Sequence, residues 1–353
     1  MSHTADFSQA AAFALAHETP WPRDIEAHLR AGAFEPPPWN EILGPVAPRG
    51  APNGLLLRGG KQVAAWGDVA RADMTFSVAK SYLAILAGIA VGDGLIADLD
   101  APVGKTVRDG GFDGPHNGAI TWRHLLTQTS EWEGILFDKS DQIDRYRSLA
   151  TSGEALAGHK KGDPRPLKTP GSYWEYNDVR VNRLSLALLR RFGRSLSEIF
   201  ADRIMRPIGA SESWRWAGYR NSRVDVGDEM IESVSGGGHW GGGVVINAAD
   251  QALIGQLMLQ DGVWNDRRLL PAGWVAAMRA PFPIKPDYGL LWWLNTERSY
   301  KPSASPESYF GLGAGGNITW IDPANDLVGV LRWIDPGAVD CFIAEVMRAL
   351  SAR

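Results

Sequence analysis

Cysteine is almost absent from this sequence of 353 residues, in which Cys341 stands alone. A single cysteine excludes an internal disulfide framework and is typical of a protein kept in a reducing compartment. The N-terminus has no basic start ahead of the short alanine-rich run that ends at Ala16, so no signal peptide is predicted. No apolar run reaches membrane-spanning length. These absences predict a soluble, cytoplasmic protein without a membrane partner.

Several chemical signatures are also missing. The net charge is -4 and the basic residues are scattered, so no nucleic-acid partner is expected. The seven histidines lie far apart, without a His-Glu-x-x-His motif or cysteine partners, and no metal site is predicted. There is no Gly-x-Ser-x-Gly elbow, and the glycine-rich stretches lack the ending of a phosphate loop. An α/β-hydrolase triad therefore has little support, and no cofactor is predicted.

Tryptophan, by contrast, is abundant, with 15 residues. Many should pack in the core, but some should line a pocket, which indicates an organic substrate with apolar surface. The chain is also longer than a usual single domain, which favours two structural lobes around a cleft.

The stretch from Met74 to Val91 carries the clearest chemistry. Its apolar length and lack of proline predict a buried helix in which Ser77 and Lys80 lie on one face. Lys80 is the only charged residue between Ser77 and Gly92, and a buried ammonium must find anions or acceptors or lose its proton. A lysine beside a serine hydroxyl is a base and nucleophile pair, and amides at the helix N-terminus favour an oxyanion. The alternative is a helix whose lysine reaches the surface.

Strand patterns come from both ends of the chain and helical patterns from its middle. The ends predict two hairpins, at 55–66 and 318–333, and two terminal helices, at 4–17 and 339–351. The segment from residue 4 to the prolines at 36–38 is interpreted as scaffold. Between about residues 120 and 230 only helices and long loops are predicted. We therefore expect an α/β (α+β) fold in which residues 1–95 and 236–353 form an α/β lobe and residues 96–235 a mostly helical inserted lobe.

A helix is predicted at 179–192, and its arginines are interpreted as a solvated face: Arg180, Arg183, Arg190, Arg191 and Arg194. Tyr176 lies at the junction of a loop with this helix. A tyrosine held near cationic groups can serve as a base, although an aromatic ring packing at a helix start is the alternative. Tyr219, in Tyr219-Arg220-Asn221, competes for this role but no buried helix follows it.

Two glycine-rich segments complete the set of candidates. The segment from Phe310 to Asn317 permits close backbone approach to a ligand and offers an amide to an oxyanion, unless it is only a tight strand entry. His239 lies between the glycine triplets at 236–238 and 241–243. It is a candidate polar contact to a substrate, or a structural histidine in a tight turn.

Together these segments resemble the penicillin-recognising serine hydrolases, which include class C β-lactamases, related esterases and 6-aminohexanoate-dimer hydrolase. The resemblance runs from the hairpin at 55–66 to the terminal helix. It includes residues 125–130, Leu-Leu-Thr-Gln-Thr-Ser, which are similar to the family's Leu-Leu-Thr-His-Thr-Ser. It implies a β-lactamase/transpeptidase-like fold, with an antiparallel sheet flanked by terminal helices.

By position, the resemblance implies that Ser77 is the nucleophile, Lys80 its activating neighbour and Tyr176 the shared base that protonates the leaving group. The separation of Tyr176 from Ser77 along the chain matches the family, and that of Tyr219 does not. The amides of Ser77 and Ala314 would form the oxyanion hole, since Ala314 follows the segment that stands in place of the family's Lys-Thr-Gly motif. The predicted substrate contacts are Asp178, Tyr219, His239 and Gly313.

Two positions depart from the family pattern. Asp178 occupies the usual asparagine place, where a carboxylate could hold Lys80 charged, and Gly311 replaces the lysine that β-lactamases use near the substrate carboxylate. The loss of that cation favours apolar or uncharged acyl parts. We therefore predict a metal-free serine hydrolase that cleaves small carboxylic esters or amides through an acyl-enzyme. A β-lactamase or D,D-peptidase, and a ligand-binding protein that does not turn over, are the alternatives; a homodimer is left open.

Overall fold

The computed structural model of this protein describes residues 5–33, 35–147 and 158–352. Its strands, in chain order, are β1 (Asn53–Arg58), β2 (Lys61–Trp66), β3 (Asp73–Met74), β4 (Ile135–Leu136), β5 (Lys139–Ser140), β6 (Arg215–Val226), β7 (Glu229–Val234), β8 (Gly243–Ile246), β9 (Val263–Trp264), β10 (Arg267–Arg268), β11 (Trp293–Leu294), β12 (Tyr309–Gly313), β13 (Asn317–Asp322) and β14 (Leu327–Arg332).

The helices, in the same order, are α1 (Ser8–Ala16), α2 (Ile25–Arg30), α3 (Val78–Gly92), α4 (Gly114–Asn117), α5 (Trp122–Leu126), α6 (Asp178–Phe192), α7 (Leu196–Phe200), α8 (Ala248–Leu259), α9 (Trp274–Met278) and α10 (Val339–Ser351). Within the described residues, none of them combines the length and the apolar composition that a membrane-spanning helix needs.

The large sheet contains, within the described residues, six antiparallel strands in the order β11, β12, β13, β14, β1, β2. Both predicted hairpins belong to it, and the pairing of β1 with β14 brings the two ends of the chain together. The first hairpin turns at Gly59 and Gly60, whose φ angles of 57° and 70° suit glycine. The predicted antiparallel sheet is therefore confirmed.

Helices cover both faces of this sheet. On one face α1 and α10 pack together over the strands, with Ala14 and Phe342 buried beside Leu56. On the opposite face α8 buries Ala252 against Leu55. Successive side chains of a strand point to opposite faces of the sheet. Leu56 of β1 therefore packs under α1 and α10, and its neighbour Leu55 packs under α8. The prediction of flanking terminal helices is confirmed.

α3 lies in the middle of the molecule, and every residue from Val78 to Ala90 is buried. It contacts α6 on one side and β12 on another. A helix that is apolar nearly all round has no face to offer to water, so burial follows from its composition. The alternative that Lys80 reaches the surface is wrong, because this side chain is only 2% exposed.

A second sheet, in the order β3, β8, β6, β7, contains a hairpin that the sequence analysis missed. The hairpin of β6 and β7 occupies residues where only helices and loops were predicted, and this prediction was wrong. Three arginines and several polar side chains hide the strand pattern of β6, which is set by pairing with β7 and β8. Since β8 belongs to the segment 236–353, the sheet joins the two predicted lobes; their division remains a prediction.

The arginines of α6 do not form a solvated face. Arg180 and Arg183 are buried, at 2% and 3% exposed, and only Arg194, beyond the helix, is exposed as predicted. Arg183 donates to Asp109 and lies 4.4 Å from the centre of the Phe112 ring. Helical periodicity did not reveal that loop residues, most of them distant in the sequence, bury these arginines.

Arg180 is the centre of a buried ionic network beneath the loop that leads into α6. Its guanidinium donates to Glu131 over 2.7 Å, to Asp141 over 3.0 Å and to Glu175 over 3.1 Å. Arg165 holds Glu131 and Glu175 from the other side. Burial alone would raise the pKa of Glu131, but Arg165 and Arg180 lower it to about 2. The loop is therefore held by charge pairs, in addition to the aromatic packing of Trp174 and Tyr176.

We expect Arg180→Ala to lower the free energy of unfolding by about 3 to 5 kcal/mol, because buried carboxylates then lose their cation. Arg123→Ala is the control: Arg123 also binds a carboxylate through two hydrogen bonds, to Asp100, but both side chains are exposed. Its loss should cost less than about 1 kcal/mol. Urea unfolding followed by tryptophan fluorescence measures both variants, and equal losses would contradict a structural role for the buried network.

Candidate active site

Ser77 and Lys80 meet at the start of α3. Lys80 Nζ donates a hydrogen bond to Ser77 Oγ over 2.7 Å, as their spacing predicted. Nζ also donates to the carbonyl oxygen of Gly236 over 3.2 Å, and Ser77 Oγ donates to that of Gly237 over 3.3 Å. The glycine-rich segment at 236–238 therefore lies directly beside the pair and orients both side chains.

The backbone just before Ser77 is strained. Phe76 has a φ of 49°, in the left-handed region that bulky residues rarely adopt. Its ring is held edge-on by Trp21 and Trp333, with centroid distances of 5.5 and 6.3 Å. On the other side, a Cβ atom on Gly237 would lie 2.0 Å from the Phe76 carbonyl oxygen. This close packing fixes Ser77 at the turn into the helix.

Asp178 is the anion that compensates Lys80. Its Oδ1 lies 2.7 Å from Lys80 Nζ, and both side chains are buried. Its Oδ2 accepts from Arg147 Nη1 over 2.8 Å and lies 3.2 Å from His239 Nδ1. Burial alone would raise the pKa of Asp178, but the charges of Arg147 and Lys80 outweigh it and hold the pKa well below its usual range. A carboxylate in the usual asparagine place thus keeps a negative charge against Lys80.

Behind Asp178 lies a group of alternating charges that we call the ion cluster. Lys161 Nζ is 2.7 Å from Glu35 Oε2 and 3.1 Å from Asp144 Oδ1, and Arg147 Nε is 3.4 Å from Glu35 Oε1. Positive and negative charges balance in this cluster, whose members are Glu35, Asp144, Asp178, Lys80, Arg147 and Lys161. Such balance is what permits so many charged groups to be buried together.

Asp144, Asp178 and His239 place one ligand atom each within 4.8 Å of one another, a spacing that could suit a metal ion. Both carboxylates, however, are already paired with the cations of the ion cluster. A divalent cation would be repelled by the same lysine and arginine charges. The surroundings of these three residues therefore do not fit a metal.

A cavity of about 390 Å³ contains Ser77 and Tyr176 in its wall. The centre of the Tyr176 ring lies 5.1 Å from Lys80 Nζ and 5.5 Å from Arg147 Cζ. None of the hydrogen bonds within the described part of the chain uses the Tyr176 hydroxyl. Much of the remaining wall is apolar or aromatic, and it includes Trp21, Trp293, Tyr300, Leu312, Ile318 and Val339.

Gly313 and Ala314 line the same cavity, at the end of β12. A Cβ atom on Gly313 would lie 1.9 Å from the carbonyl oxygen of Thr75, so this strand end packs tightly against the chain just before Ser77. Within residues 5–33, 35–147 and 158–352, neither the Ser77 nor the Ala314 amide donates a backbone hydrogen bond outside regular structure. Ser77 and Ala314, the two predicted oxyanion donors, thus line the same cavity.

Gly311 is closely packed against α3. A Cβ atom there would lie 3.3 Å from both Ser81 Oγ and Val78 Cγ1 and 3.5 Å from the Trp292 ring. The position therefore points into the packing around α3, which Trp292 fills. A larger residue at this position would require its neighbours to move slightly.

The structure does not bring Tyr219 or His239 to the cavity wall. The Tyr219 hydroxyl is buried and accepts hydrogen bonds from Asn182 Nδ2 over 3.0 Å and from Ser235 Oγ over 3.1 Å; burial raises its pKa. His239 is buried behind Asp178, and burial lowers its pKa. Asp178 itself faces Lys80. The prediction that these three residues contact a substrate directly is not supported by this cavity, whose wall contains none of them.

The cavity residues that were not predicted include Trp21, Arg147, Trp293, Tyr300 and Lys301. The abundance of tryptophan indicated an aromatic pocket but not which tryptophans form it. The N-terminal segment was interpreted as scaffold, yet it supplies Trp21 to the wall. A local pattern carries no signal for this, because the wall is assembled from segments distant in sequence.

A serine paired with a buried lysine at the start of a central helix, together with an antiparallel sheet flanked by terminal helices, defines a serine hydrolase of the β-lactamase/transpeptidase-like fold. The Beta-lactamase family matches residues 56–333, and the chain belongs to that family. Family and fold are thus as predicted from the sequence.

Named relatives agree with this assignment. The chain is 24% identical over 340 residues to 6-aminohexanoate-dimer hydrolase of Paenarthrobacter ureafaciens, covering 84% of this chain and 78% of that protein. It is 25% identical over 227 residues to a putative D-alanyl-D-alanine carboxypeptidase of Escherichia coli O157:H7, covering 53% of this chain and 52% of that protein. A penicillin-binding protein homologue from Caulobacter crescentus superimposes with a TM-score of 0.61 at 16% identity, covering 94% and 99% of the two chains.

We expect Gly237→Ala to slow the labelling of Ser77 by a fluorophosphonate about 100-fold, because the new methyl group displaces the Phe76 carbonyl and moves the serine. Gly227→Ala is the matched control: Gly227 also has a positive φ, of 66°, but a Cβ atom there meets nothing within 4 Å. Time-resolved intact-mass spectrometry gives both rates. Equal labelling of the two variants would show that the contact with Phe76 does not position Ser77.

Proposed function

We propose that this hydrolase cleaves small carboxylic esters or amides through an acyl-enzyme on Ser77, without a metal. The observation that carries the proposal is the 2.7 Å hydrogen bond from Lys80 Nζ to Ser77 Oγ in the wall of a cavity. A cavity of about 390 Å³ is within the range of small-molecule sites. The aromatic wall favours substrates with apolar surface.

In the first half of the reaction, Ser77 Oγ attacks the carbonyl carbon and its proton passes to Tyr176. Lys80, held as an ammonium by Asp178, donates to Oγ and so aims the oxygen lone pairs. Together with Arg147 it also stabilises negative charge on the tyrosine. The negative charge on the carbonyl oxygen is stabilised by the Ser77 and Ala314 amides.

The tetrahedral intermediate then collapses. Tyr176 returns its proton to the oxygen or nitrogen of the leaving group, the bond to that atom breaks, and the acyl group stays on Ser77. In the second half, water attacks the ester carbonyl while Tyr176 takes a proton from it, and the same residue returns the proton to Ser77 Oγ. Acid and enzyme are released, and the protonation states are restored.

β-Lactamase or D,D-peptidase activity is the alternative within the same fold, and the second relative named above is a putative D-alanyl-D-alanine carboxypeptidase. Gly311 speaks against the family's way of binding an anionic β-lactam, because glycine carries no cation at that position. The cytoplasmic location and the homodimer remain predictions.

We expect Ser77→Ala to abolish the steady hydrolysis of p-nitrophenyl esters that the wild type shows, because no other group can form the acyl bond. A colour assay and intact-mass spectrometry measure turnover and the adduct on the same samples. A single burst without turnover by the wild type would favour a ligand-binding protein instead. Robust nitrocefin hydrolysis would overturn the preference for uncharged acyl parts that is argued from Gly311.

We expect Asp178→Asn to move the acidic limb of the kcat/KM profile to lower pH by about one unit, which corresponds to about 1.4 kcal/mol. Loss of the carboxylate removes a buried negative charge that lies 2.7 Å from Lys80 Nζ, beside the reacting residues. The limb is read from rates relative to the maximum, so a smaller folded fraction does not affect it.

Glu41→Gln is the control for this shift. Glu41 is also paired with two cations, Lys139 and Arg220, but it is exposed and belongs to neither the cavity nor the ion cluster. Its variant should keep the wild-type profile. An unchanged acidic limb in Asp178→Asn would mean that the charge of Asp178 does not act on the reacting groups.

A further inference from the structure

Two cationic side chains, Arg147 and Lys301, line the cavity that contains Ser77. Arg147 is compensated, since Asp178 Oδ2 lies 2.8 Å and Glu35 Oε1 3.4 Å from its guanidinium. Lys301 is not. In the described ranges 5–33, 35–147 and 158–352, no carboxylate oxygen lies within 4.0 Å of its Nζ, and its ammonium makes no hydrogen bond.

The position of Lys301 is nevertheless fixed. Its backbone N–H donates to Asn295 Oδ1 over 2.8 Å, and its carbonyl oxygen accepts from Asn295 Nδ2 over 2.9 Å. The ammonium lies 4.8 Å from the centre of the Tyr300 ring. Asp340, whose charge partly offsets the burial of Lys301, accepts hydrogen bonds from Ser303 instead. The cavity wall therefore carries a half-buried cation without a counter-ion.

The wall around Lys301 is apolar. Trp293, Leu312 and Val339 lie in the same lining, and Tyr300 stacks on Trp293 with an angle of 26° between the rings. Such a surface suits a ligand with one anionic group and an apolar body. A single ammonium carries one positive charge and is balanced by one carboxylate, whereas a phosphate monoester carries close to two negative charges.

We propose that Lys301 binds a carboxylate carried by the substrate, so that this hydrolase prefers esters or amides with an apolar segment between the scissile carbonyl group and a free carboxylate. The inference rests on the proposed function, because it takes Ser77 as the reacting residue of the same cavity. Lys301, in the connection between β11 and β12, supplies a cation that Gly311 cannot supply. The proposal also revises the expectation, drawn from the sequence, that the acyl part of the substrate is apolar or uncharged.

The first test measures binding without catalysis. Hexanoate and hexanamide have the same length and differ in charge, and calorimetry compares their affinities for the wild type, Lys301→Met and Lys285→Met. We expect the wild type to bind hexanoate about tenfold more tightly than hexanamide and Lys301→Met to lose this preference. Lys285→Met should keep it, because Lys285 is paired with Asp287 at 2.7 Å and is not part of the cavity wall.

The second test measures turnover. The mono-p-nitrophenyl ester of glutaric acid is compared with its neutral methyl ester, and the ratio of the two kcat/KM values is taken for each protein. We expect a ratio of about ten in the wild type and in Lys285→Met, and a ratio near one in Lys301→Met. Lys301→Arg, which keeps the charge, should retain most of the preference.

The two tests separate the inference from the function on which it rests. Equal binding of hexanoate and hexanamide by the wild type, or a preference that survives in Lys301→Met, overturns the role of Lys301 even if both esters are hydrolysed. If neither ester is hydrolysed, the proposed function is refuted. The calorimetric comparison still decides whether Lys301 is an anion site.

Discussion

The burial of one ammonium group shapes this molecule. Lys80 lies inside an apolar helix, 2% exposed, where an uncompensated charge is not tolerated. Asp178 supplies the opposite charge at 2.7 Å, and that carboxylate in turn needs Arg147. Each compensation recruits another charged residue until the ion cluster is neutral. The site residues are therefore held by a series of ion pairs that begins at Lys80.

Charge pairs also hold the loop that leads into α6, through Arg180 and its three carboxylates. Ionic contacts are weak evidence for stability, since desolvation offsets much of the attraction. Their geometry, however, is more specific than that of apolar contacts, because the N–H donors of a guanidinium have fixed directions and bind carboxylates in few arrangements. Tyr176, next to this network, thus gains a fixed position on a segment that has no regular structure of its own.

Close backbone packing completes the arrangement around Ser77. Gly237 and Gly313 each lie so near the chain before the serine that no side chain could be added to them. The strained φ of Phe76 persists because aromatic rings and this backbone enclose it. Apart from Ser77, Arg147 and Lys301, much of the cavity wall is apolar or aromatic.

The sequence by itself determined the two hairpins, the buried helix α3 and the meeting of Ser77 with Lys80, because each depends on neighbours a few residues away. Only the tertiary structure decided that Arg180 is buried, that Tyr219 faces away from the cavity, and that Trp21 shares a wall with Lys301. Periodicity tells which residues share a face of an element. It carries no information about the partner from a distant segment that packs against that face, and charge compensation and cavity shape depend on that partner.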